Sequence, residues 1–155
     1  MDITSHIQKI KAEIPESVRL IAVTKQVSVE FIRQAYAAGI RDFAENRLQE
    51  ALEKQEQLQD LSDICWHFIG HLQTNKIQKV LHNFHWIHSV DSLKLAQRLD
   101  CLGENVTTLP QLCLQVKPLS DPSKYGWHIN ELWQDLPQLE QLKHLNIRGL
   151  MTILP

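Results

Sequence analysis

The sequence lacks any apolar stretch of membrane-spanning length and any long block of like charges. Its 155 residues carry 16 Lys and Arg against 18 Asp and Glu, which gives a formal net charge of −2. The missing apolar stretch argues against a transmembrane helix, and the first five residues do not resemble a signal peptide. The near-balanced charge argues against nucleic-acid binding driven by phosphate neutralisation. We therefore expect a soluble, cytoplasmic protein that binds neither membranes nor nucleic acid.

Several common site signatures are also missing. The three cysteines, Cys65, Cys101 and Cys113, are odd in number and widely spaced, which is typical of reduced thiols rather than of a disulfide framework. No Gly-x-Gly-x-x-Gly follows the first predicted strand, and no Walker loop or Gly-x-Ser-x-Gly elbow is present. The usual signatures of dinucleotide, nucleoside triphosphate and serine-hydrolase sites are therefore absent.

Hydrophobic patterning predicts six strands that alternate with helices. The strands are expected at residues 18–24, 42–45, 66–70, 86–89, 112–116 and 147–153, with helices at 3–14, 28–38, 46–58, 75–81, 91–102 and 129–136. Strict alternation of this kind predicts a parallel sheet covered by helices, either doubly wound or a (β/α)₈ barrel. The length fits a single domain over residues 1–155.

Lys25 follows the run 18–24, whose composition is that of a fully buried strand. Because burying an unpaired ammonium is costly, its amine must pair, reach water or lose its proton. A lysine at the mouth of an α/β core is also what a Schiff-base nucleophile requires. The alternative is a lysine whose stem extends from the strand end to solvent.

Polar residues follow the other predicted strands as well. Asn46 follows the second strand, where its amide would either bind a ligand beside Lys25 or cap the next helix. The segment 70–76, which contains His71, follows the third strand and is either a ligand-facing loop or a solvated one. Thr152 lies at the end of the sixth strand. Functional residues of (β/α) barrels lie at these carboxyl ends.

Eight histidines raise the possibility of a metal site. His67 and His71 bracket the end of the third strand, but no Cys-x-x-Cys or His-Glu-x-x-His motif accompanies them. A metal-dependent barrel hydrolase that uses these two histidines is therefore kept only as an alternative.

Five segments together resemble one family: residues 22–25, 42–46 with Gln49 and Glu50, 66–76, 87–96 and 149–153. They resemble the YggS/PROSC family of pyridoxal 5′-phosphate homeostasis proteins, and a cyanobacterial member of it. The resemblance runs from residue 20 to 155, and segment 66–76 is its most specific part.

The resemblance implies a TIM-type (β/α) barrel like the N-terminal domain of alanine racemase. It implies that Lys25 holds pyridoxal phosphate as an aldimine and that Asn46, His71 and Thr152 lie beside the cofactor, with no catalytic residue and no metal. The function implied is vitamin B6 and amino-acid homeostasis without established turnover. Recipients would be pyridoxal phosphate-dependent apoenzymes, and the protein would be a cytoplasmic monomer.

Two features depart from the family pattern. The loop 117–126 keeps only the ending Ser-Lys-x-Gly, and the chain contains about six of the eight β/α units of a barrel. Family members continue through two further units that hold the cofactor's phosphate, so we expect a barrel domain that is incomplete at its C-terminus. A pyridoxal phosphate-dependent amino-acid racemase is the second alternative, with His71 or Tyr36 as its general base.

Overall fold

The structure, a computed structural model, describes residues 2–154. It divides into two compact units, unit 1 up to Trp66 and unit 2 from His67 onward, with the boundary inside the third strand. In each unit, strands that follow one another in sequence are hydrogen-bonded neighbours. The single domain over residues 1–155 stays a prediction.

Unit 1 alternates helices and strands as the sequence predicts. Its elements are α1 (Ile3–Glu13), β1 (Ala22–Val23), α2 (Val29–Ala37), β2 (Asp42–Glu45), α3 (Leu48–Gln57) and the first half of β3 (Cys65–Phe68). Strands β1 and β2 are parallel, with Ala22 opposite Phe43. The Cys65 N–H donates to the Arg41 carbonyl oxygen at 2.7 Å, which starts β3 beside β2.

Local sequence signals explain where the helices of unit 1 begin and end. The Asp2 carboxylate accepts a hydrogen bond from the Ser5 N–H at 2.8 Å and so caps α1. Gly39 has φ +102° directly after α2, the left-handed conformation in which glycine ends helices at little cost. Ile32 and Phe43 are fully buried and form part of the core of this unit.

The predicted buried strand over residues 18–24 is wrong in length and in burial. Only Ala22 and Val23 form β1, and Val23 is 51% exposed. The register pairs residues 22 and 23 with 43 and 44, so residues 18–20 would lie opposite 39–41. The chain there is leaving α2 through the left-handed Gly39, and it offers no extended partner for strand pairing.

Unit 2 continues the alternation of strands and helices. It contains the rest of β3, a 3₁₀ turn (Thr74–Lys76), α4 (Ile77–Asn83), β4 (Trp86–Val90), α5 (Leu93–Gly103), β5 (Gln111–Gln115), α6 (Ile129–Glu140) and β6 (Asn146–Met151). The pairs β3–β4, β4–β5 and β5–β6 are all parallel. The helix expected from residue 91 begins at Leu93 and is capped by Ser92, whose hydroxyl accepts from the Leu95 N–H at 3.2 Å.

The loop after β5 is closely tied to that strand. The Trp127 N–H donates to the Gln115 carbonyl oxygen at 3.0 Å, and the Lys117 N–H donates to the Trp127 carbonyl oxygen at 2.7 Å. The Trp127 indole N–H donates to Asp135 of α6 at 2.9 Å. Gly126 precedes Trp127 in this loop and has φ +132°, a conformation that glycine adopts readily because it has no Cβ.

All three cysteines are free thiols, as predicted. Burial, reinforced by the nearby Asp42 carboxylate, raises the pKa of Cys65 to about 11. Burial also raises the pKa of Cys113. Both thiols are therefore protonated at neutral pH and unsuited to nucleophilic chemistry.

Among the described residues, no helix combines the length and the apolar character needed to span a bilayer.

Gly126→Ala should destabilise the protein by about 1–3 kcal/mol, the usual cost of a side chain held in a sparsely populated backbone conformation. The added Cβ would lie 2.9 Å from the Gln115 carbonyl oxygen. The control is Gly149→Ala in β6, where no atom lies within 4 Å of the new Cβ, so its effect should be below about 0.5 kcal/mol. Urea unfolding measures both, and equal losses would contradict this account of Gly126.

Candidate functional site

Lys25 lies in the turn that follows β1. The Val27 N–H donates to the Thr24 carbonyl oxygen at 3.0 Å, which closes a four-residue turn around Lys25 and Gln26. The Lys25 side chain is exposed, and its amine has no hydrogen bond or ion pair within the described part of unit 1. The exposed side chain matches the expectation that the amine reaches solvent.

Asn46 follows β2 and is not the cap of α3. Val23 of β1 lies opposite Ala44 of β2, so Lys25 and Asn46 follow the carboxyl ends of two neighbouring strands. The cap of α3 is Arg47, whose carbonyl oxygen accepts the helical hydrogen bond from the Ala51 N–H. The capping alternative for Asn46 is therefore wrong, and within residues 2–66 its half-buried amide makes no side-chain hydrogen bond.

Lys54 of α3 lies buried next to this turn, with 7% of its surface exposed. Its ammonium donates to the Thr24 carbonyl oxygen at 2.6 Å, to Glu45 Oε1 at 2.9 Å and to Glu50 Oε1 at 2.8 Å. An ammonium has three N–H donors. All three donors are therefore matched by acceptors, and none is left buried and unpaired.

The two carboxylates that accept from Lys54 also bind the turn around Lys25. Glu45 is fully buried, and its second oxygen accepts a short hydrogen bond from the Thr24 hydroxyl. Glu50 Oε1 also accepts from the Gln26 N–H at 2.6 Å. We call Glu45, Glu50 and Lys54 the Lys54 cluster.

The Lys54 cluster also affects the ionisation of Glu50. The hydrogen bond from Lys54, followed by that from the Gln26 N–H, lowers the pKa of Glu50 below its ordinary value of 4.5. Both donors stabilise the ionised carboxylate, and their effect exceeds that of partial burial.

In unit 2, His71 lies after β3 and contacts the segments that follow β4 and β5. Its ring stacks on Tyr125 with 4.1 Å between centroids and 15° between planes. Its Nδ1 lies 3.7 Å from an Asp91 carboxylate oxygen. Burial raises the pKa of Asp91, and the nearby His71 partly offsets this. The segments that follow β3, β4 and β5 therefore lie close together, since the His71 ring stacks on Tyr125 and lies near the Asp91 carboxylate.

A cavity of about 410 Å³ opens beside His71, within the size range of small-ligand sites. Its polar lining includes Thr74, Asp91, Lys94 and Arg98. Thr152 is exposed directly after β6 and does not line this cavity. The structure therefore groups His71 with Asp91 and Tyr125, whereas Thr152 stands apart from them.

The two histidines proposed as metal ligands have different surroundings. His67 is 1% exposed, and its Nδ1 lies 2.8 Å from Nε2 of His88. It also stacks on Trp86 with 5.9 Å between ring centroids. His71 is exposed and stacks on Tyr125. Within residues 67–154, no three His, Cys, Asp or Glu ligand atoms converge.

Sequence reasoning did not assign a role to the Lys54 cluster or to Tyr125. Two signals were available: Glu45 follows the apolar pair Phe43 and Ala44 at the end of its strand, and Glu50 precedes Lys54 by four residues, the spacing of a helical ion pair. Tyr125 carried no comparable signal, because its loop is predicted only as irregular.

The family model described as "Alanine racemase, N-terminal domain" matches residues 2–155 of the chain. A Synechocystis protein named pyridoxal phosphate homeostasis protein is 57% identical over 147 residues, which are 95% of this chain and 67% of that protein. An Escherichia coli protein of the same name is 37% identical over 143 residues, 90% of this chain and 60% of its own length. The chain thus spans about two thirds of these relatives.

The chain also resembles proteins of known structure. PipY of Synechococcus elongatus, with PLP bound, superposes with a TM-score of 0.94 at 49% identity, over 99% of this chain and 71% of PipY. An alanine racemase of Clostridium difficile superposes with a TM-score of 0.81 at 17% identity, over 97% of this chain and 40% of its own. At that identity the second likeness concerns the fold alone. The predicted alanine-racemase-like fold is confirmed.

The lowered pKa of Glu50 gives a pH dependence of stability with a defined sign. A carboxylate whose folded pKa lies below its unfolded value stabilises the protein above the unfolded pKa, and this stabilisation is lost as the pH falls through the folded pKa. The free energy of unfolding of the wild type should therefore exceed that of Glu50→Gln by a margin that is constant above pH 5 and shrinks below about pH 4.5. Urea unfolding from pH 3 to 7 measures it; a margin that grows on acidification would contradict the assignment.

Proposed function

The chain belongs to the pyridoxal phosphate homeostasis protein family and carries the alanine racemase N-terminal domain, and from this we propose that it binds pyridoxal 5′-phosphate through Lys25. The role proposed is a carrier or buffer in vitamin B6 and amino-acid homeostasis. It is a binding function: the matched relatives are named for homeostasis, not for a reaction.

The observation that carries the proposal is the contrast between two lysines of unit 1. When bound, pyridoxal phosphate supplies an aldehyde that condenses with an unprotonated amine. The Lys54 amine is buried and donates to three acceptors. The Lys25 amine is exposed at the carboxyl end of β1 and has no partner in the described part of its unit. Lys25 therefore fits the group, and Lys54 does not.

Asn46 supports the same site. It follows β2, the neighbour of the strand that Lys25 follows, and its amide is not used to cap α3. In unit 2, we propose His71 and Thr152 as cofactor-binding residues because each follows the carboxyl end of a parallel strand, which is where (β/α) barrels bind ligands. The stack on Tyr125 would fix the orientation of the His71 ring beside a flat aromatic ligand.

The proposal includes three further parts. Pyridoxal phosphate-dependent apoenzymes are the proposed recipients, since a protein that holds the cofactor without turnover must pass it on. The protein is proposed to act as a monomer and in the cytoplasm. Its three free thiols fit a reducing compartment.

Borohydride reduction after incubation with pyridoxal phosphate, followed by peptide mapping, tests the role of Lys25. We expect a stable adduct on Lys25 and its loss in Lys25→Ala. The matched control is Lys9→Ala, which removes an exposed lysine from α1 and should leave the adduct unchanged. An adduct on another lysine only, or on none, would refute the proposal.

Transfer to an apoenzyme tests the carrier role. Protein loaded with pyridoxal phosphate should reactivate an apo-aminotransferase faster than the same concentration of free cofactor, because the cofactor is delivered within a protein complex. Lys25→Ala mixed with the same total cofactor is the control and should match free cofactor. Equal reactivation rates for loaded wild type and free cofactor would count against direct delivery.

A further inference from the structure

We propose that the Lys54 cluster is a positioning device for Lys25. The cluster holds the peptide groups on both sides of Lys25 and so fixes the direction in which its amine leaves the end of β1. The inference rests on the proposed function of Lys25 and adds to it three residues, Glu45, Glu50 and Lys54, that would not touch the cofactor.

The first anchor acts on the residue before Lys25. The Thr24 carbonyl oxygen accepts from Lys54 Nζ at 2.6 Å, and the Thr24 N–H donates to the Ala44 carbonyl oxygen at 3.0 Å. The Thr24 hydroxyl donates to the buried Glu45. All three polar groups of Thr24 are thereby bound to β2 or α3, and the backbone that enters Lys25 is fixed.

The second anchor acts on the residue after Lys25. Gln26 has φ +59°. This left-handed conformation has a free-energy cost for a residue that carries a side chain. Its N–H donates to Glu50 Oε1 at 2.6 Å. A hydrogen bond to a charged acceptor is among the stronger ones in proteins, and here it offsets the cost of the turn. The backbone that leaves Lys25 is fixed in the same way.

Stability alone does not account for the cluster. The Glu45 carboxylate and the Lys54 ammonium are withdrawn from water here, and buried ion pairs contribute little compared with apolar side chains of similar volume. A cluster of this kind is better suited to selecting one arrangement of the backbone. The arrangement selected is the turn that carries Lys25, because two of the cluster's hydrogen bonds end on the peptide groups beside it.

Two substitutions of Glu50 separate positioning from charge. Glu50 is 26% exposed and supplies one of the three acceptors of Lys54, and the Thr24 carbonyl oxygen and Glu45 remain as acceptors after its replacement. Glu50→Leu removes the acceptor for the Gln26 N–H, whereas Glu50→Gln keeps a side-chain oxygen that can accept it. We expect amide hydrogen exchange at Gln26 to be at least about tenfold faster in Glu50→Leu, with a dissociation constant for pyridoxal phosphate raised by a similar factor. Glu50→Gln should stay within about threefold of the wild type in both measurements.

Arg33→Met is the control for general loss of stability. Arg33 joins α2 to the end of α3 through Asp60, at 2.8 Å, and through the Gln57 carbonyl oxygen, at 2.9 Å. These bonds lie outside the Lys54 cluster. The variant should lower the free energy of unfolding while the dissociation constant and the Gln26 exchange rate stay as in the wild type.

The outcomes separate the two proposals. If Gln26 exchange is fast in Glu50→Leu but the dissociation constant is unchanged, the positioning role is overturned and the proposed function stands. Equal losses of affinity in Glu50→Gln and Glu50→Leu would have the same meaning. Absence of a borohydride adduct on Lys25 in the wild type would instead refute the proposed function. Unchanged Gln26 exchange in Glu50→Leu would overturn the second anchor whatever the cofactor does.

Discussion

The burial of the Lys54 ammonium is the constraint on which the structure at the carboxyl ends of β1 and β2 depends. An ammonium removed from water loses several kcal/mol of solvation, about the order found for ions in protein interiors. Only a complete set of acceptors compensates for this loss, and here the set comes from three segments: the end of β1, the end of β2 and the first turns of α3. The three segments are therefore fixed relative to each other by one side chain, and the turn after β1 takes its shape from them.

Lys25 and Lys54 show how one residue type serves opposite purposes within a single unit. Each of the three N–H donors of the buried Lys54 side chain has an oxygen acceptor. The Lys25 side chain is exposed beyond the last residue of β1. Burial and hydrogen bonding, rather than chemical identity, decide which lysine is structural and which is open to covalent chemistry.

The sequence predicted the alternation of elements well, and it predicted some of their bounds. The strand Asp42–Glu45 matches because apolar Phe43 and Ala44 are flanked by polar residues, and the helix expected over residues 91–102 is found at Leu93–Gly103. The strand 18–24 failed because hydrophobic composition does not report whether a partner strand is extended opposite it. Asn46 was weighed as a cap because asparagine is common there, yet α3 begins two residues later.

The site was predictable in part. Lys25, Asn46 and His71 could be selected because each follows a strand, and strand order alone makes Lys25 and Asn46 neighbours. The Lys54 cluster could not be found in this way, because the packing of α3 on β2 decides that its acceptors meet. The stack of His71 on Tyr125 joins two loops that are distant in sequence, and no local pattern encodes such a contact.

The exposed, unbonded side chain of Lys25 has a consequence for the evolution of the protein. Since the fold of unit 1 takes no hydrogen bond from this amine, a chain that lost it would still fold, and cellular proteases that remove unfolded molecules would not recognise the defect. Copies without this side chain would then persist at normal abundance. Any selection against its loss would therefore act through what the protein does, whereas loss of the Lys54 side chain would affect folding as well.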